Sequence, residues 1–215
     1  MKTFLLAALL GASLLLHAQN RPNSQVGLRG GYGFSSISDE GDAGTKPSFN
    51  VSFYIQINTK SPVSFVINPG YERVGFAMRI QYRDVNGFVI GEGDAIQHLN
   101  YVKLPLNLKV HVGENRRVFI QAGLYASFLN SAKIVIEKEK VNTMNTDNFK
   151  GADFGVNLGI GLNLPVTQRF SLEAEIRGSR GLKDIVETGR SDFHPQNWNA
   201  LVMLGFLFEV GNFAD

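Results

Sequence analysis

The sequence predicts an all-β protein: an eight-stranded antiparallel up-and-down transmembrane β-barrel. Three observations predict it. Long stretches alternate strictly between apolar and polar residues, the period of a strand with unlike faces. The polar face also collects the glycines and other small residues, while the apolar face is uniformly bulky. That combination fits a narrow lumen inside and lipid outside. The connections between the alternating stretches are by turns long and short, as expected when tight turns gather at one end of a barrel and loops at the other.

The clearest stretch is Asp153 to Leu164. Phe154, Val156, Leu158, Ile160, Leu162 and Leu164 share one face. Asp153, Gly155, Asn157, Gly159, Gly161 and Asn163 share the other. Glycine is disfavoured in strand interiors, so its recurrence on one face points to crowding there.

Composition narrows the function classes. The chain has 215 residues, enough for one all-β domain, and a formal net charge of +2, which gives no reason to expect a nucleic-acid partner. Cysteine is absent, which excludes disulfides, thiolate metal sites, cysteine nucleophiles and a lipid-anchored cysteine. No cofactor is expected. Residues 1–18 read as a signal peptide: Lys2, an apolar run from Phe4 to Leu16, then Ala18 before the cut. Residues 19–215 are then the barrel domain. No later stretch approaches the ~18 consecutive apolar residues of a membrane helix, so a membrane-embedded mature chain has to be a closed barrel.

The strands follow in order. Gln25 to Ser35 places Val26, Leu28, Tyr32 and Phe34 on one face and Gly27, Arg29, Gly31 and Gly33 on the other. After a polar loop to about Lys46, Phe49, Val51, Phe53, Ile55 and Ile57 alternate with Asn50, Ser52, Tyr54, Gln56 and Asn58. The third strand starts at Val63 and carries Phe65, Ile67, Pro69 and Tyr71 outward. Its phase blurs at Arg73 to Phe76, where a bulge or the end of the lipid zone is expected. Ala77 to Gln97 reads as two strands running past the membrane surface and turning at Asn86-Gly87.

Val102 to Val112 and Val118 to Phe128 make the next hairpin, with Lys103, Asn107, Lys109, Gln121 and Tyr125 on the polar face. A second long connection, about Ser131 to Gly151, includes a hairpin extension near Lys133 to Val141. After Leu164, the turn at Pro165 to Gln168 leads into Phe170, Leu172, Ala174 and Ile176, alternating with Arg169, Ser171, Glu173, Glu175 and Arg177. A third long connection, Gly178 to Gln196, precedes Trp198 to Val210. The alternates of that last strand, Leu201, Met203 and Leu207, are unexpectedly apolar.

Aromatic residues gather at strand ends. Tyr32, Phe34, Phe49, Tyr71, Phe128, Phe154 and Trp198 lie toward the long loops; Phe65, Phe170 and Phe208 lie toward the short turns. Two such girdles mark membrane interfaces. A soluble secreted barrel of the lipocalin kind shares the alternation, but not the bulky apolar face or the alternating loop lengths. Outer-membrane lipid is therefore an expected partner, with the long loops outside, both termini of the mature chain in the periplasm, and an envelope or extracellular protein as the class of macromolecular partner.

Several motifs carry a resemblance. Tyr101-Val102-Lys103-Leu104-Pro105-Leu106, the Gly-x-x-x-Ser at Gly123 to Ser127, the D-F-G-x-x-x-G-x-G at Asp153 to Gly161 and Leu172-Glu173-Ala174 resemble the PorT-like small outer-membrane β-barrel proteins. The resemblance covers most of the mature chain. It implies an eight-stranded barrel, and some such proteins serve a protein secretion system. The ending departs from the commonest outer-membrane pattern, since Gly211 to Asp215 follows Val210.

Candidate chemistry is sparse. Gly27, Gly30, Gly31 and Gly33 precede no helix, so packing space is the better reading than a phosphate loop. His98 and His194 near the rim lack a Ser-His-acid spacing, and no catalytic residue is assigned. Asp39, Glu40 and Asp42 lack the ligand spacing of a calcium loop. Asn50-Val51-Ser52 is a sequon on a strand, read as chance. The informative set is the inward charges: Arg29, Lys103, Lys109, Arg169 and Arg177 against Glu72, Asp153, Glu173, Glu175 and Glu209. They make either a structural plug or a small ion path. A barrel of eight strands is just wide enough for side chains to fill, which favours the plug.

Overall fold

The structure, a computed structural model, describes residues 24–38, 44–59, 61–136, 141–186 and 194–210. Residues 1–18, expected to be a signal peptide, and the acidic loop residues Asp39, Glu40 and Asp42 lie outside the described residues.

Among the described residues, ten strands form one antiparallel sheet: β1 (Ser24–Ile37), β2 (Gly44–Ile57), β3 (Val63–Ile67), β4 (Gly70–Arg83), β5 (Val89–Val112), β6 (Val118–Ile136), β7 (Val141–Met144), β8 (Ala152–Pro165), β9 (Phe170–Gly181) and β10 (Asn197–Val210). The sheet closes through eight of them, in the order β1, β2, β4, β5, β6, β8, β9, β10 and back to β1. Closure satisfies every strand edge in the wall, as a spanning sheet requires.

β3 and β4 together make one broken stave. β3 pairs with β2 and β5 near the short turns, and β4 pairs with the same two strands above it. The break falls at Asn68-Pro69, facing Pro105 of β5. Proline has no N–H to give a ladder, so two of them at one level interrupt it. The carbonyls remain in use: Phe53 N–H donates to Pro69 and Asn68 N–H to Pro105, at 2.9 and 3.3 Å. β4 and β5 run on beyond the wall and turn at 84–88, where Asp84 Oδ1 accepts from the amides of Asn86 and Phe88, both at 2.9 Å. Gly87 takes φ +85° there, the left-handed region that glycine enters without penalty.

The outward face is apolar and exposed along the wall, including Leu106, Leu108, Leu158, Ile160, Val202 and Leu204. The inward face is buried and polar. Glycines on β1 explain the apolar inward residues of β10. Gly27, Gly31 and Gly33 stand directly opposite Leu207, Met203 and Leu201, and Gly205 stands opposite Arg29. Any Cβ at Gly27 would meet Leu207 Cδ2 at 2.8 Å, and one at Gly205 would meet Arg29 Cγ at 3.0 Å. Bulk on one strand is seated in the absence of a side chain on its neighbour, which fills a narrow lumen without collision.

Above the upper aromatic residues the pattern changes. Ile37, Val74, Phe76, Leu99, Tyr101 and Ala132 point inward and form an apolar cluster with Phe149 and Ile185 from the connecting segments. The blurred phase at Arg73 to Phe76 is therefore not the end of the strand. β4 continues, and its inward face turns from polar to apolar. Outward residues at this height, such as Arg79, Asp94 and Asn130, are polar and exposed. The strands thus leave an apolar solvent and enter water, and the oily side moves indoors.

Candidate functional site

The charged lumen is built by residues from β1, β4, β5, β8 and β9. Strand alternation aims each of them inward, and closure then brings remote strands face to face. Four cations, Arg29, Lys103, Lys109 and Arg177, share it with four carboxylates, Glu72, Asp153, Glu173 and Glu175, and all eight are buried.

They fall into two groups. In the lower one, Arg29 pairs with Glu175 and lies 3.4 Å from Glu173. Arg177 grips the same Glu175 with Nε and Nη2, each at 3.0 Å, and Gln121 donates to its Oε1 at 2.6 Å. Lys109 pairs with Glu173 and donates to Tyr54 Oη at 2.9 Å and Gln56 Oε1 at 3.2 Å. Tyr54 donates to Gln56, whose amide donates to Ser64 Oγ at 3.0 Å. Below them Lys109 Nζ sits 3.9 Å over the ring of fully buried Phe119. Tyr54, Val66 and Leu207 pack together at the same end.

In the upper group, Lys103 pairs with Glu72 at 2.7 Å and lies 4.1 Å over the Tyr125 ring. Glu72 also accepts from Asn199 at 2.9 Å and Asn50 at 3.2 Å. Asp153 accepts from Asn197 at 3.1 Å and Tyr125 at 3.4 Å. Each ion is therefore paired or hydrogen-bonded, which offsets the several kcal/mol that desolvating a charge costs.

Two of the ten expected lumen charges lie elsewhere. Arg169 is exposed on the turn before β9, one residue short of the strand, so alternation does not aim it inward. Its carbonyl accepts the Glu209 amide at 2.9 Å. Glu209 is only half-buried at the short-turn mouth, with Gln25 Nε2 at 3.4 Å. Tyr54, Gln56, Phe119, Gln121, Tyr125, Asn197 and Asn199 complete the two groups. Alternation already turns them inward, but nothing local marks them as ion partners.

At the long-loop end the apolar cluster is tied in by hydrogen bonds from the connecting segments. Lys150 N–H donates to Ile185 O at 2.8 Å, and Phe149 bridges to Val186. Asn145 and Gln97 exchange side-chain hydrogen bonds at 2.8 and 3.0 Å. These bonds hold Phe149 and Ile185 in the cluster with Val74, Phe76, Leu99 and Tyr101.

The expected girdle residues face outward. Tyr32, Phe34, Phe128, Phe154 and Trp198 are exposed, and Phe49 and Tyr71 are half-buried against each other with ring centres 6.0 Å apart. At the other end Phe65 is exposed, and Phe170 lies 5.2 Å from Phe208. His194 sits on the exposed rim, 3.0 Å from Asp184. His98 is half-buried on β5, its pKa pushed down by burial and by Arg73, Lys133 and Lys46. Among the described residues, no group of three or more His, Asp or Glu is placed to hold a metal.

This closed antiparallel barrel with an apolar exterior and a polar, side-chain-filled interior defines the class of small outer-membrane barrels. The chain belongs to the family described as outer membrane protein beta-barrel domain, whose family model matches residues 17–187. The protein is thus placed in the bacterial outer membrane. No curated protein matches the chain. Among solved structures, it is similar to the attachment invasion locus protein Ail of Yersinia pestis, solved with the heparin analogue sucrose octasulfate. That match has 13% identity, covers 86% of this chain and 99% of that one, and has a TM-score of 0.45. Neisserial surface protein A matches at 10% identity over 84% and 95%, with a TM-score of 0.47. The outer membrane protein AlkL matches at 12% over 91% and 93%, with a TM-score of 0.46. Likenesses at this level carry no ligand or role to this chain.

Proposed function

We propose that the protein is a non-enzymatic outer-membrane barrel with a plugged lumen, whose long-loop end is its working surface. The observation that carries this reading is the charge-balanced lumen: every buried ion has a partner inside it. An ion path would need water-filled width, and a barrel of about this size is filled by its own side chains. The long loops face the outside and the termini face the periplasm in this reading, and residues 1–18 are removed on export. The tall β4–β5 hairpin then presents Val85, Phe88 and Ile90, all well exposed, to an envelope or extracellular protein. The resemblance to PorT-like barrels supports a role beside a protein secretion system. Planar-bilayer recording tests the plug. Purified barrel is expected to show almost no current. A steady ion-selective current that Glu175→Gln alters in selectivity, with the fold retained, would replace the plug with a narrow pore.

A further inference from the structure

The outer wall holds a shallow depression of about 640 Å³, bordered on its outward side by Ala122, Leu124, Val156, Leu158, Gly178 and Arg180. Its floor is low because small residues meet there. Gly178 pairs with Leu158 on β8 and with Ala200 on β10, and Leu158 pairs in turn with Ala122 on β6. One rung toward the long loops, Arg180 stands between Val156 and Trp198. Just beyond, Leu182 N–H donates to Phe154 O at 2.8 Å, and Lys183 Nζ lies 5.9 Å from the Phe154 ring centre.

Arg180 is out of place on an apolar wall. Exposed charge on a lipid face is costly at depth and tolerated near the interface, where a long side chain lifts its head toward the polar layer. Its neighbours Trp198 and Phe154 belong to the girdle that marks this height. Among the described residues, neither Arg180 nor Lys183 has a carboxylate partner. Two cations at the rim, an apolar trough below them and an aromatic on either side match one kind of molecule: a lipid with phosphate at the head and acyl chains beneath.

We propose that this face of β6, β8 and β9 is a binding site for one phosphorylated lipid of the outer leaflet, lipid A. Phosphate meets Arg180 and Lys183, and an acyl chain lies over Gly178 and Ala122. The assignment rests on the outward orientation of the long loops, because only then does this end meet the leaflet that lipid A occupies.

Native mass spectrometry of the full barrel in detergent tests it, with bisphosphorylated lipid A, dephosphorylated lipid A and phosphatidylglycerol offered separately. Wild type is expected to retain one lipid A preferentially. Arg180→Gln should weaken retention roughly fivefold, and adding Lys183→Gln should weaken it roughly as much again, since one basic residue at a charged lipid surface contributes about that factor. Gly178→Leu fills the trough and should lower retention with both cations in place. Arg79→Gln, on the hairpin, should change nothing. Heat-modifiable gel migration verifies that each variant is folded. Equal retention by wild type and Arg180→Gln, or equal retention of dephosphorylated lipid A or phosphatidylglycerol, overturns the site. Either failure leaves the plug untouched, because conductance reports on that separately.

Discussion

Arg29 reaches across the lumen from β1 to pair with Glu175 on β9, a carboxylate already held by Arg177 of its own strand. One acid thus anchors two guanidinium groups. Glu175→Gln leaves both cations short of charge in a site almost wholly buried. Unfolding of the variant in detergent is expected to require about 3–5 kcal/mol less than wild type, the usual effect of removing one partner of a buried pair. A loss below about 1 kcal/mol would mean that water reaches the pair.

Gly31 and Met203 face each other across β1 and β10. Gly31→Val pushes a side chain into the Met203 thioether, and overpacking of this kind costs about 1–3 kcal/mol. Met203→Ala in the same chain should recover much of the loss, because the sulfur end of Met203 is the nearest obstacle. A double variant as unstable as the sum of the singles would show that the two positions do not share space.

Leu158 is 61% exposed midway along β8. Leu158→Arg is expected to lower barrel stability in lipid by about 2–4 kcal/mol if the residue lies near the midplane. Asn157→Leu, one residue away, should also destabilise, but by crowding the lumen. A stable, fully folded Leu158→Arg barrel would reverse the assignment of inside and outside.

Single cysteines at Asn86 and Asn145 are expected to react with a membrane-impermeant thiol reagent on intact cells. A cysteine at Asn115, on a short turn, is expected to react only after the outer membrane is breached. Labelling at Asn115 but not at Asn145 inverts the orientation.

His98 sits above the girdle with its pKa depressed, burial being the largest cause and the charges of Arg73, Lys133 and Lys46 adding to it. A histidine whose folded pKa is below its unfolded value binds more protons unfolded. Its stabilising contribution is therefore complete above about pH 6.5 and is lost as pH falls below that toward the folded pKa. Melting temperature should drop between about pH 6.5 and 5 in wild type. The drop should shrink in His98→Gln. An identical profile in the variant removes His98 from the pH dependence.

Strand identity was legible because a period of two is a local property. Phe154 and Asn157 reveal their faces to anyone reading their neighbours. The inward aim of Arg29 and Glu175 follows from the same period, whereas Arg169 lies on the turn because β9 begins one residue later, and Glu209 is only half-buried at the short-turn mouth. Partnership was not legible. Lys109 and Glu173 sit on β5 and β9, which share no edge, so only closure and shear bring them together. The apolar cluster of Val74, Phe76, Leu99 and Tyr101 was missed because the meaning of an inward residue changes with the solvent outside the wall, and one sequence does not print where that solvent changes.

The exchange of polarity partway up each long strand acts as a depth gauge. Sinking the protein would press Arg79 and Asp94 against hydrocarbon, and lifting it would strip lipid from Leu104 and Phe128. Both displacements are uphill, so the barrel floats at one height and resists bobbing like a ballasted buoy. The hairpin tip is carried at a constant distance above the surface, and anything that grips it pulls against the whole wall.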